Sequence, residues 1–239
     1  MSLIAVSKAD LRIDWATHAA AKYAVENWHY SQRMPKSKLL KVGVWESGRF
    51  VGVVIYGVGG GNSTRGDKYG LDPAGEVVEL VRVALRGHAA PVSRIIAISM
   101  VFLRRHCPGI RLVVSFADTT QGHHGGIYQA GNWIYTGMTE GDREFHVKGE
   151  ILHPRTIHLR GWRQVESWLR QHVDPKARLV RTPGKHRYLM PLDDEMRAKI
   201  APLAKPYPKR PKQAEAGPPE MRQCDTDPDA PICSAEWRA

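Results

Sequence analysis

The sequence predicts an α+β fold in which helices are layered on a central mixed sheet. The order of the apolar patterns is the first reason, because a helix, a hairpin, a valine-rich strand, a helix, a strand, a short helix and a strand follow one another. The length is the second, since 239 residues suffice for one domain with a substantial core. We expect this domain to span residues 1–204.

Residues 205–239 differ in composition from the rest of the chain. They hold seven of the sixteen prolines and almost no aliphatic periodicity, so they are expected to form a flexible, solvated tail, with a docking segment as the alternative. Their six Lys or Arg are balanced by six Asp or Glu. The whole formal charge of +11 therefore lies on residues 1–204.

That charge indicates the chemistry of the partner. A surplus of 35 Lys and Arg over 24 Asp and Glu favours a polyanion such as a nucleic acid. No apolar run approaches the roughly 20 residues that cross a membrane. Three cysteines without zinc-ligand spacing, and an N-terminus without the apolar core of a signal peptide, favour a cytoplasmic protein with reduced thiols.

Local patterns place the first elements. Apolar and aromatic residues recur at helical spacing over 14–28, with Asp14 as the expected N-cap. Two apolar runs within 39–60 are joined by Ser47 and Gly48, which predicts a β-hairpin. The glycine-rich stretch that follows is expected to be an exposed, mobile loop.

Shorter patterns place the later elements. Alternating valines predict a central strand over 76–86, and an amphipathic run predicts a helix over 90–109. The apolar run 110–118 predicts another buried strand. A short helix over 123–132 and a strand over 133–139 complete the order.

A cluster of aromatic and imidazole side chains precedes a basic segment. Trp28, His29 and Tyr30 stand at the predicted end of the first helix. They would suit one wall of a pocket for a nucleic-acid base, while the basic residues beyond them would touch phosphates: Arg33, Lys36, Lys38 and Lys41. The alternative is a helix C-terminus whose histidine interacts with the helix dipole, followed by a solvated basic loop.

A second basic and aromatic cluster lies near the end of the predicted domain. It consists of Lys185, His186, Arg187 and Tyr188. Contact of Lys185 and Arg187 with DNA is one interpretation, and a solvated basic surface is the other.

The segment GGIYQAGNWIYTG at 125–137 resembles the part of the GCN5-related N-acetyltransferase fold that follows its fifth strand. The order of the predicted elements matches that fold as well. The resemblance implies that Tyr128 protonates the departing thiolate of coenzyme A. From the residues alone, Tyr128 fits a helix position packed on the sheet equally well.

In that fold the pyrophosphate of coenzyme A binds backbone amides between the central strand and the next helix, where unpaired N–H groups favour an anion. The corresponding stretch is LRGHAAPVSR at 85–94, in which Gly87 is the one residue of the usual signature. The resemblance implies acetyl-coenzyme A as cofactor, bound by Val83, Leu85, Arg86, Gly87, Ser93 and Arg94.

A narrower resemblance spans about residues 25–205. The segments that carry this resemblance are HYS at 29–31, VGVWESGRFVGVVIYGVGGGN at 42–62, ELVRVAL at 79–85, LVVSFADTTQGHHGGIYQAGNWIYTG at 112–137, HPRTIH at 153–158 and GKHRYLMPLD at 184–193. They are similar to the Mom family of phage DNA-modification proteins. The resemblance implies conversion of adenine in double-stranded DNA to N6-carbamoylmethyladenine, which hides restriction sites from host endonucleases.

The same resemblance associates the chain with iron(II) as well as acetyl-coenzyme A. The sequence does not indicate the iron ligands, because the adjacent His123 and His124 point apart on any regular element and no facial-triad spacing is present. Iron would have to be bound by distant residues, for instance His29 with Asp118. Monomer and homodimer both remain open.

The reaction implies roles for further side chains. Adenine must be flipped out of the duplex and stacked, for which Trp28, Tyr30 and Tyr135 are candidates. His29 or Asp118 would remove the N6 proton.

Ser115, in the predicted strand VVSFAD, is a further candidate to offer its hydroxyl to this cleft. Strict alternation would place Ser115 and Asp118 on opposite faces, so both can line one site only if the strand ends or bulges between them. Two alternatives remain for the whole chain. One is an ordinary acetyl-coenzyme A-dependent N-acetyltransferase acting on a small amine or protein, and the other is a non-catalytic DNA-binding protein.

Overall fold

The computed structural model describes residues 10–58, 66–72, 75–141 and 143–210. The strands in this part of the chain are β1 (Leu11–Trp15), β2 (Lys38–Glu46), β3 (Arg49–Val58), β4 (Val77–Leu85), β5 (Leu112–Ala117), β6 (Ile134–Met138), β7 (Arg143–Val147), β8 (Glu150–Leu152), β9 (Arg178–Arg181) and β10 (His186–Pro191). The helices are α1 (His18–Trp28), α2 (Val92–His106), α3 (Gly126–Gln129), α4 (Pro154–Leu159), α5 (Glu166–His172) and α6 (Asp194–Ile200).

Seven of the described strands form the central sheet, in the order β1-β2-β3-β4-β5-β10-β6. The strands from β1 to β4 pair antiparallel, β4 and β5 pair parallel, and β10 lies antiparallel between β5 and β6. The C-terminal ends of β4, β5 and β6 and the start of β10 therefore share one edge, which we call the upper edge. The predicted fold class, a mixed sheet flanked by helices, is confirmed.

The first helix begins later than predicted. Its N-cap is Thr17, whose hydroxyl accepts a hydrogen bond from the backbone N–H of Ala20 at 3.2 Å. Asp14 lies instead in β1, where it pairs with Gly43 of β2. The predicted N-cap is wrong because the alternation of Leu11 and Ile13 forms an edge strand before the helix.

The predicted hairpin is confirmed, and its turn residues show why. Ser47 and Gly48 have φ angles of 52° and 78°, the left-handed conformation that a two-residue hairpin turn requires. Glu46 pairs with Arg49 across the turn. This local chemistry fixes the register of β2 and β3 next to the turn.

The sheet buries both of its faces. On one face, Tyr56, Val78 and Leu80 pack with residues of α2 such as Ile95. On the other face, α1 covers one part of the sheet and α6 covers another. A side chain of β4 or β5 can therefore be assigned to the α2 face or to the α1 and α6 face.

Residues 143–181, which we call the insert, form a second sheet that the sequence did not predict. Its strand order is β8-β7-β9, and it lies between β6 and β10 in the chain. Phe145 and Val147 pack against Ile157 of α4 and Leu169 of α5 in a separate core. The insert leaves and re-enters the central sheet at the upper edge.

The glycine-rich loop is only partly described, since residues 59–65 and 73–74 lie outside the described ranges. Its described part includes a short 3-10 turn at Gly66–Tyr69, and the side chains of Tyr69 and Leu71 are buried against α6. The prediction of an exposed loop is wrong for those two residues, because they complete the apolar cluster beneath α6.

The start of the predicted tail contacts the sheet. The backbone N–H of Lys205 donates to the carbonyl of Tyr135 at 2.8 Å, and the hydroxyl of Tyr207 donates to the carbonyl of Trp133 at 2.7 Å. Residues 211–239, with Cys224 and Cys233, lie outside the described ranges, so the flexible tail stays a prediction. Among the described residues, we find no helix with the length and apolar character needed to cross a membrane.

Candidate active site

The parallel strands β4 and β5 separate toward the upper edge. Their ladder ends at the pair Glu79 and Val114, although both strands continue beyond it. A cavity of about 210 Å³, which we call the wedge pocket, opens there. It is lined by Trp28, His29, Tyr30, Leu80, Val81, Arg82, Val83, Phe116, His123, Ile127 and Tyr128.

A β-bulge in β4 determines the face on which Arg82 lies. Tyr56 of β3 pairs with Leu80 and Ile55 pairs with Arg82, so Val81 is the extra residue. Paired residues share a face, hence Arg82 lies with Ile55 on the face that packs against α1. Strict alternation would have placed Arg82 with Leu80 on the α2 face.

The wedge pocket receives side chains from both faces of the sheet. Trp28 and Val81 pack with the cluster beneath α1, whereas Leu80 and Tyr128 belong to the core beneath α2. The cavity therefore lies between the two faces of the sheet.

Two polar atoms of the lining are buried without a hydrogen-bond partner among the described residues. They are Nε1 of Trp28 and Nε of Arg82, and both carry a proton to donate. A buried donor left unpaired costs about 1–3 kcal/mol, and native proteins retain few of them. Neither atom has accessible surface of its own, so an acceptor on a ligand in the wedge pocket would reach them only after these side chains move.

His29 is a neutral ring with a defined tautomer. Its Nδ1 accepts a hydrogen bond from the backbone N–H of Ser31 at 3.1 Å, so the proton of the neutral ring lies on Nε2. Burial, together with the charges of Arg82 and His123, lowers the pKa of His29 to about 4. At neutral pH His29 is a hydrogen-bond donor through Nε2.

Tyr30 offers an aromatic surface at the mouth of the wedge pocket. Its side chain is 61% exposed, which is unusual for an aromatic residue that lines a cavity. Its ring lies 4.3 Å from the ring of His29 and 5.9 Å from the ring of His123, measured between centroids. The exposed face is free to stack on a flat ligand.

A hydroxyl pair lies on the α2 side. The hydroxyl oxygen of Ser115 is 2.8 Å from that of Tyr128 and 3.1 Å from the carbonyl oxygen of Leu80. Ser115 has one proton, so when it donates to Tyr128 the phenolic proton is available to the wedge pocket. Burial raises the pKa of Tyr128 to about 12, which keeps that proton in place at neutral pH.

Neighbouring rings hold Tyr128 in position. The ring of Tyr128 lies 5.0 Å from Trp133 and 5.1 Å from Tyr188, between centroids. Gly125 lets the loop before α3 approach this stack, since its φ is 85° and a Cβ there would lie 2.3 Å from the ring of Tyr188. Only glycine fits this position.

A sequence profile of the Mom protein family matches residues 10–209. The chain belongs to the Mom protein family. The methylcarbamoylase Mom of Escherichia phage Mu is 27% identical over 214 residues, which cover 87% of each chain. The resemblance predicted from the sequence is confirmed by this match, and membership in the family confirms the predicted class of enzyme, a transferase.

Solved structures with a similar arrangement include two acyl-transferring proteins. One is the aminoglycoside acetyltransferase AAC(6')-Ib in complex with coenzyme A and kanamycin, with a TM-score of 0.46, 7% identity, and coverage of 81% of this chain and 98% of that chain. The other is FeeM, an N-acyl amino acid synthase from uncultured soil microbes, with a TM-score of 0.42, 11% identity, and coverage of 82% and 97%.

In this Mom family member, a carboxylate of the protein itself occupies the amides of the loop between β4 and α2. The carboxylate oxygens of Glu46, a residue 8% exposed, accept hydrogen bonds from the backbone N–H of Ala89 at 2.6 Å and of Ala90 at 2.8 Å. The hydrogen bond from Ala89 is the main cause that lowers the pKa of Glu46. Pro91 follows and has no N–H. The amides of Ala89 and Ala90 are therefore not available to a pyrophosphate while Glu46 holds them.

The residues predicted to bind coenzyme A run from the end of β4 into the first turn of α2. Val83 lines the wedge pocket, and Leu85 ends β4 opposite Gly52 of β3. The backbone N–H of Arg86 donates to Val51, and the carbonyl of Gly87 accepts from Arg49. Ser93 and Arg94 lie in the first turn of α2.

Three residues predicted to be catalytic lie outside the wedge pocket lining: Ser115, Asp118 and Tyr135. Asp118 forms an ion pair with Lys185 at 3.2 Å. Burial raises the pKa of Asp118, but hydrogen bonds from Thr120 and Lys185 outweigh it, so the pKa is below its ordinary value. The hydroxyl of Tyr135 lies 2.9 Å from Nδ1 of His186.

The residues predicted to contact DNA are dispersed. Trp28 lines the wedge pocket, whereas Lys38 and Lys41 lie on β2, which β3 separates from β4. Arg33 and Lys36 lie in the segment between α1 and β2. Lys185 pairs with Asp118, and Nε of Arg187 donates to the hydroxyl of Thr136 at 2.7 Å.

Sequence reasoning missed Glu79 and Arg82, the two charged residues of ELVRVAL. Glu79 and Val114 form the last rung of the ladder, so Glu79 lies on the same face as Phe116, two residues further along β5. Burial raises the pKa of Glu79, and the charges of Lys185 and Arg82 only partly oppose this effect. The signal available in the sequence was the presence of these two charged residues inside a valine-rich central strand, where charged side chains are uncommon.

The predicted iron does not fit the residues that the structure describes. In these ranges, no group of three or more His, Cys, Asp or Glu is arranged to hold a metal ion. His29 already uses Nδ1 for Ser31, and Asp118 is paired with Lys185. We therefore assign no ligands and derive no step through iron.

Proposed function

We propose that this Mom family member converts adenine in double-stranded DNA to N6-carbamoylmethyladenine, and that the modification protects a phage genome from host restriction in the bacterial cytoplasm. The carrying observation is the wedge pocket, which is lined by the exposed ring of Tyr30 and by His29, a hydrogen-bond donor through Nε2. Adenine presents ring nitrogens as acceptors. The methylcarbamoylase of phage Mu is a relative over most of the chain.

The acceptor base enters from the α1 face. A flipped adenine stacks on the exposed ring of Tyr30, as bases do in enzymes that act on extruded nucleotides. Trp28, Arg82 and Nε2 of His29 donate to its ring nitrogens. This role for His29 is hydrogen bonding and replaces the predicted role of general base.

The transfer is a displacement at a methylene carbon. The N6 lone pair forms a bond to the carbamoylmethyl carbon of the donor, and the bond from that carbon to the leaving group breaks with its electron pair. Glu79 takes the N6 proton, because it is a partly buried carboxylate with a raised pKa on the face of the sheet that carries the pocket-lining Phe116. Tyr128 protonates the leaving group from the α2 side.

The donor carries the carbamoylmethyl group with a leaving group on its methylene carbon. Acetyl-coenzyme A, the donor expected from the resemblance, would transfer an acetyl group by attack at its carbonyl and give N6-acetyladenine. Glu46 also occupies the amides at which its pyrophosphate would bind. We derive no step through coenzyme A.

The test is mass spectrometry of nucleosides from the DNA of cells that express this chain, beside the H29A variant. The proposal predicts a deoxyadenosine heavier by one carbamoylmethyl group in the wild type, strongly reduced in H29A. R105Q, a change in an exposed arginine at the far end of α2, is the matched control and should leave the modified nucleoside unchanged.

Other results would overturn the proposal. An acetylated adenosine would establish acyl transfer from coenzyme A to the same nitrogen. Unmodified adenosine in cells with folded protein would favour the alternative, an N-acetyltransferase that acts on a small amine or protein.

A further inference from the structure

The insert is a strongly basic part of the described fold. Its 39 residues contain nine Lys or Arg and four Asp or Glu, a formal excess of five positive charges out of the +11 of the whole chain. All nine basic side chains are exposed. A surplus of this density on a small unit creates a strong positive potential.

The acidic groups of the insert neutralise few of these charges. Arg160 pairs with Glu150 at 3.1 Å, and Arg170 pairs with Glu166 at 2.7 Å. Asp174 accepts hydrogen bonds from two backbone N–H groups. Seven basic residues of the insert therefore form no ion pair with any described residue: Arg143, Lys148, Arg155, Arg163, Lys176, Arg178 and Arg181.

Two connecting segments, 139–141 and 182–185, hold the insert against the site. The carbonyl of Gly184 accepts a hydrogen bond from the hydroxyl of Thr119 at 3.0 Å, and Lys185 pairs with Asp118. Gly184 packs so closely on Thr139 that a Cβ would lie 1.9 Å from its carbonyl oxygen. Asp118 and Thr119 begin the segment that leads from β5 to the pocket-lining residues His123 and Tyr128.

From this charge and this attachment, and resting on the proposed function, we propose that the insert binds the phosphate backbone of the duplex whose adenine enters the wedge pocket. Phosphate contacts position a protein on DNA without reading sequence, which suits an enzyme that must hold the duplex while one base is flipped. In this proposal the insert is a DNA-positioning surface.

The test compares two charge-matched double variants in fluorescence anisotropy with a labelled duplex, over a series of salt concentrations. R155Q/R163Q removes two unpaired charges of the insert, and R104Q/R105Q removes two exposed charges at the opposite edge of the sheet. Each phosphate contact contributes about 0.9 to the slope of log affinity against log salt. R155Q/R163Q should lower the slope by about 2, and R104Q/R105Q should leave it unchanged.

Equal slopes in the two variants would overturn the inference, and so would a duplex affinity unaffected by R155Q/R163Q while binding to polyglutamate falls, because the partner would then be an acidic protein. Nucleoside mass spectrometry of the same proteins separates the two proposals. Equal slopes with modified adenosine would remove the insert's role alone. A lowered slope without any modified adenosine would remove the proposed reaction alone.

Discussion

The hydroxyl oxygens of Ser115 and Tyr128 lie 2.8 Å apart beside the wedge pocket, and a second pair on the same face, Tyr56 and Ser99, lies 2.6 Å apart. All four residues are buried. The two pairs offer the same local chemistry, but only Tyr128 lines the pocket. Substitutions in the two pairs can therefore distinguish a structural role of a buried tyrosine from a role in proton transfer.

Y128F should abolish most of the modification, whereas Y56F should preserve it. Each change removes one buried hydrogen bond, so both variants should lose about 0.5–1.5 kcal/mol of unfolding free energy. Loss of a proton donor should lower modification by about 100-fold or more in Y128F alone. Denaturant unfolding and nucleoside mass spectrometry measure the two effects. Equal activity of the two variants would limit Tyr128 to packing.

The hairpin and the site show why prediction succeeded in one place and failed in another. Ser47 and Gly48 determine their turn by local backbone preference, which a sequence displays directly. Arg82 reaches the pocket through a bulge at Val81, which depends on pairing with β3. Glu46 meets its amides 43 residues away in the chain. Nothing local to either residue signals these contacts.

The insert was missed for a related reason. Its strands are short, and its core is formed by side chains from β7, α4 and α5 that are far apart in sequence. β10 likewise lies between β5 and β6 although it follows both by many residues. The resemblance to the Mom family covered the segments HPRTIH and GKHRYLMPLD, but a resemblance between short segments does not give the order of the strands.

G125A should destabilise the protein severely. A left-handed φ costs a non-glycine residue about 1–2 kcal/mol, and overpacking against the ring of Tyr188 adds about 1–3 kcal/mol. We expect a loss of about 2–5 kcal/mol in chemical denaturation. G109A is the control, since a Cβ there meets nothing within 4 Å. A loss in G125A no larger than in G109A would show that the loop can move away from Tyr188.

H29Q should reduce the loss of folding stability that occurs when the pH falls from 7 to 4. The pKa of His29 is lowered from its ordinary 6.5 to about 4, so the unfolded chain binds a proton that the folded protein does not bind between these values. Wild-type stability is therefore lost as the pH falls through this window, and H29Q should lack that share of the loss. Thermal unfolding from pH 7 to pH 4 tests this, with H158Q, a change in an exposed histidine of α4, as control. If the stability of H29Q and of the wild type depended on pH in the same way, the fold would not be keeping His29 in its neutral form.

E46A should create affinity for coenzyme A. Removal of the carboxylate frees the N–H groups of Ala89 and Ala90, at a cost of about 1–3 kcal/mol for each donor left unpaired. Free coenzyme A should then raise the melting temperature of E46A while it leaves the wild type unchanged. E26A, in an exposed glutamate of α1, controls for the loss of one negative charge. Stabilisation of the wild type by coenzyme A would show that Glu46 yields its place to a pyrophosphate.

E79Q should raise stability and abolish modification at once. Burial raises the pKa of Glu79 above its ordinary 4.5, so the stability gained from the protonated form is present at low pH and is lost as the pH rises through the folded value. At neutral pH the neutral glutamine avoids this cost, and each kcal/mol gained should raise the melting temperature by about 2–4 °C. The same change removes the base that takes the N6 proton, which should reduce modified adenosine by about 100-fold or more.

E76Q, three residues earlier, keeps an oxygen that can accept the hydrogen bond from the backbone of Asp72, and it should change neither quantity appreciably. A stabilised E79Q that still modifies adenine would show that Glu79 is a partly buried charge without a catalytic role, whereas a destabilised, inactive E79Q would indicate that its charge supports the fold.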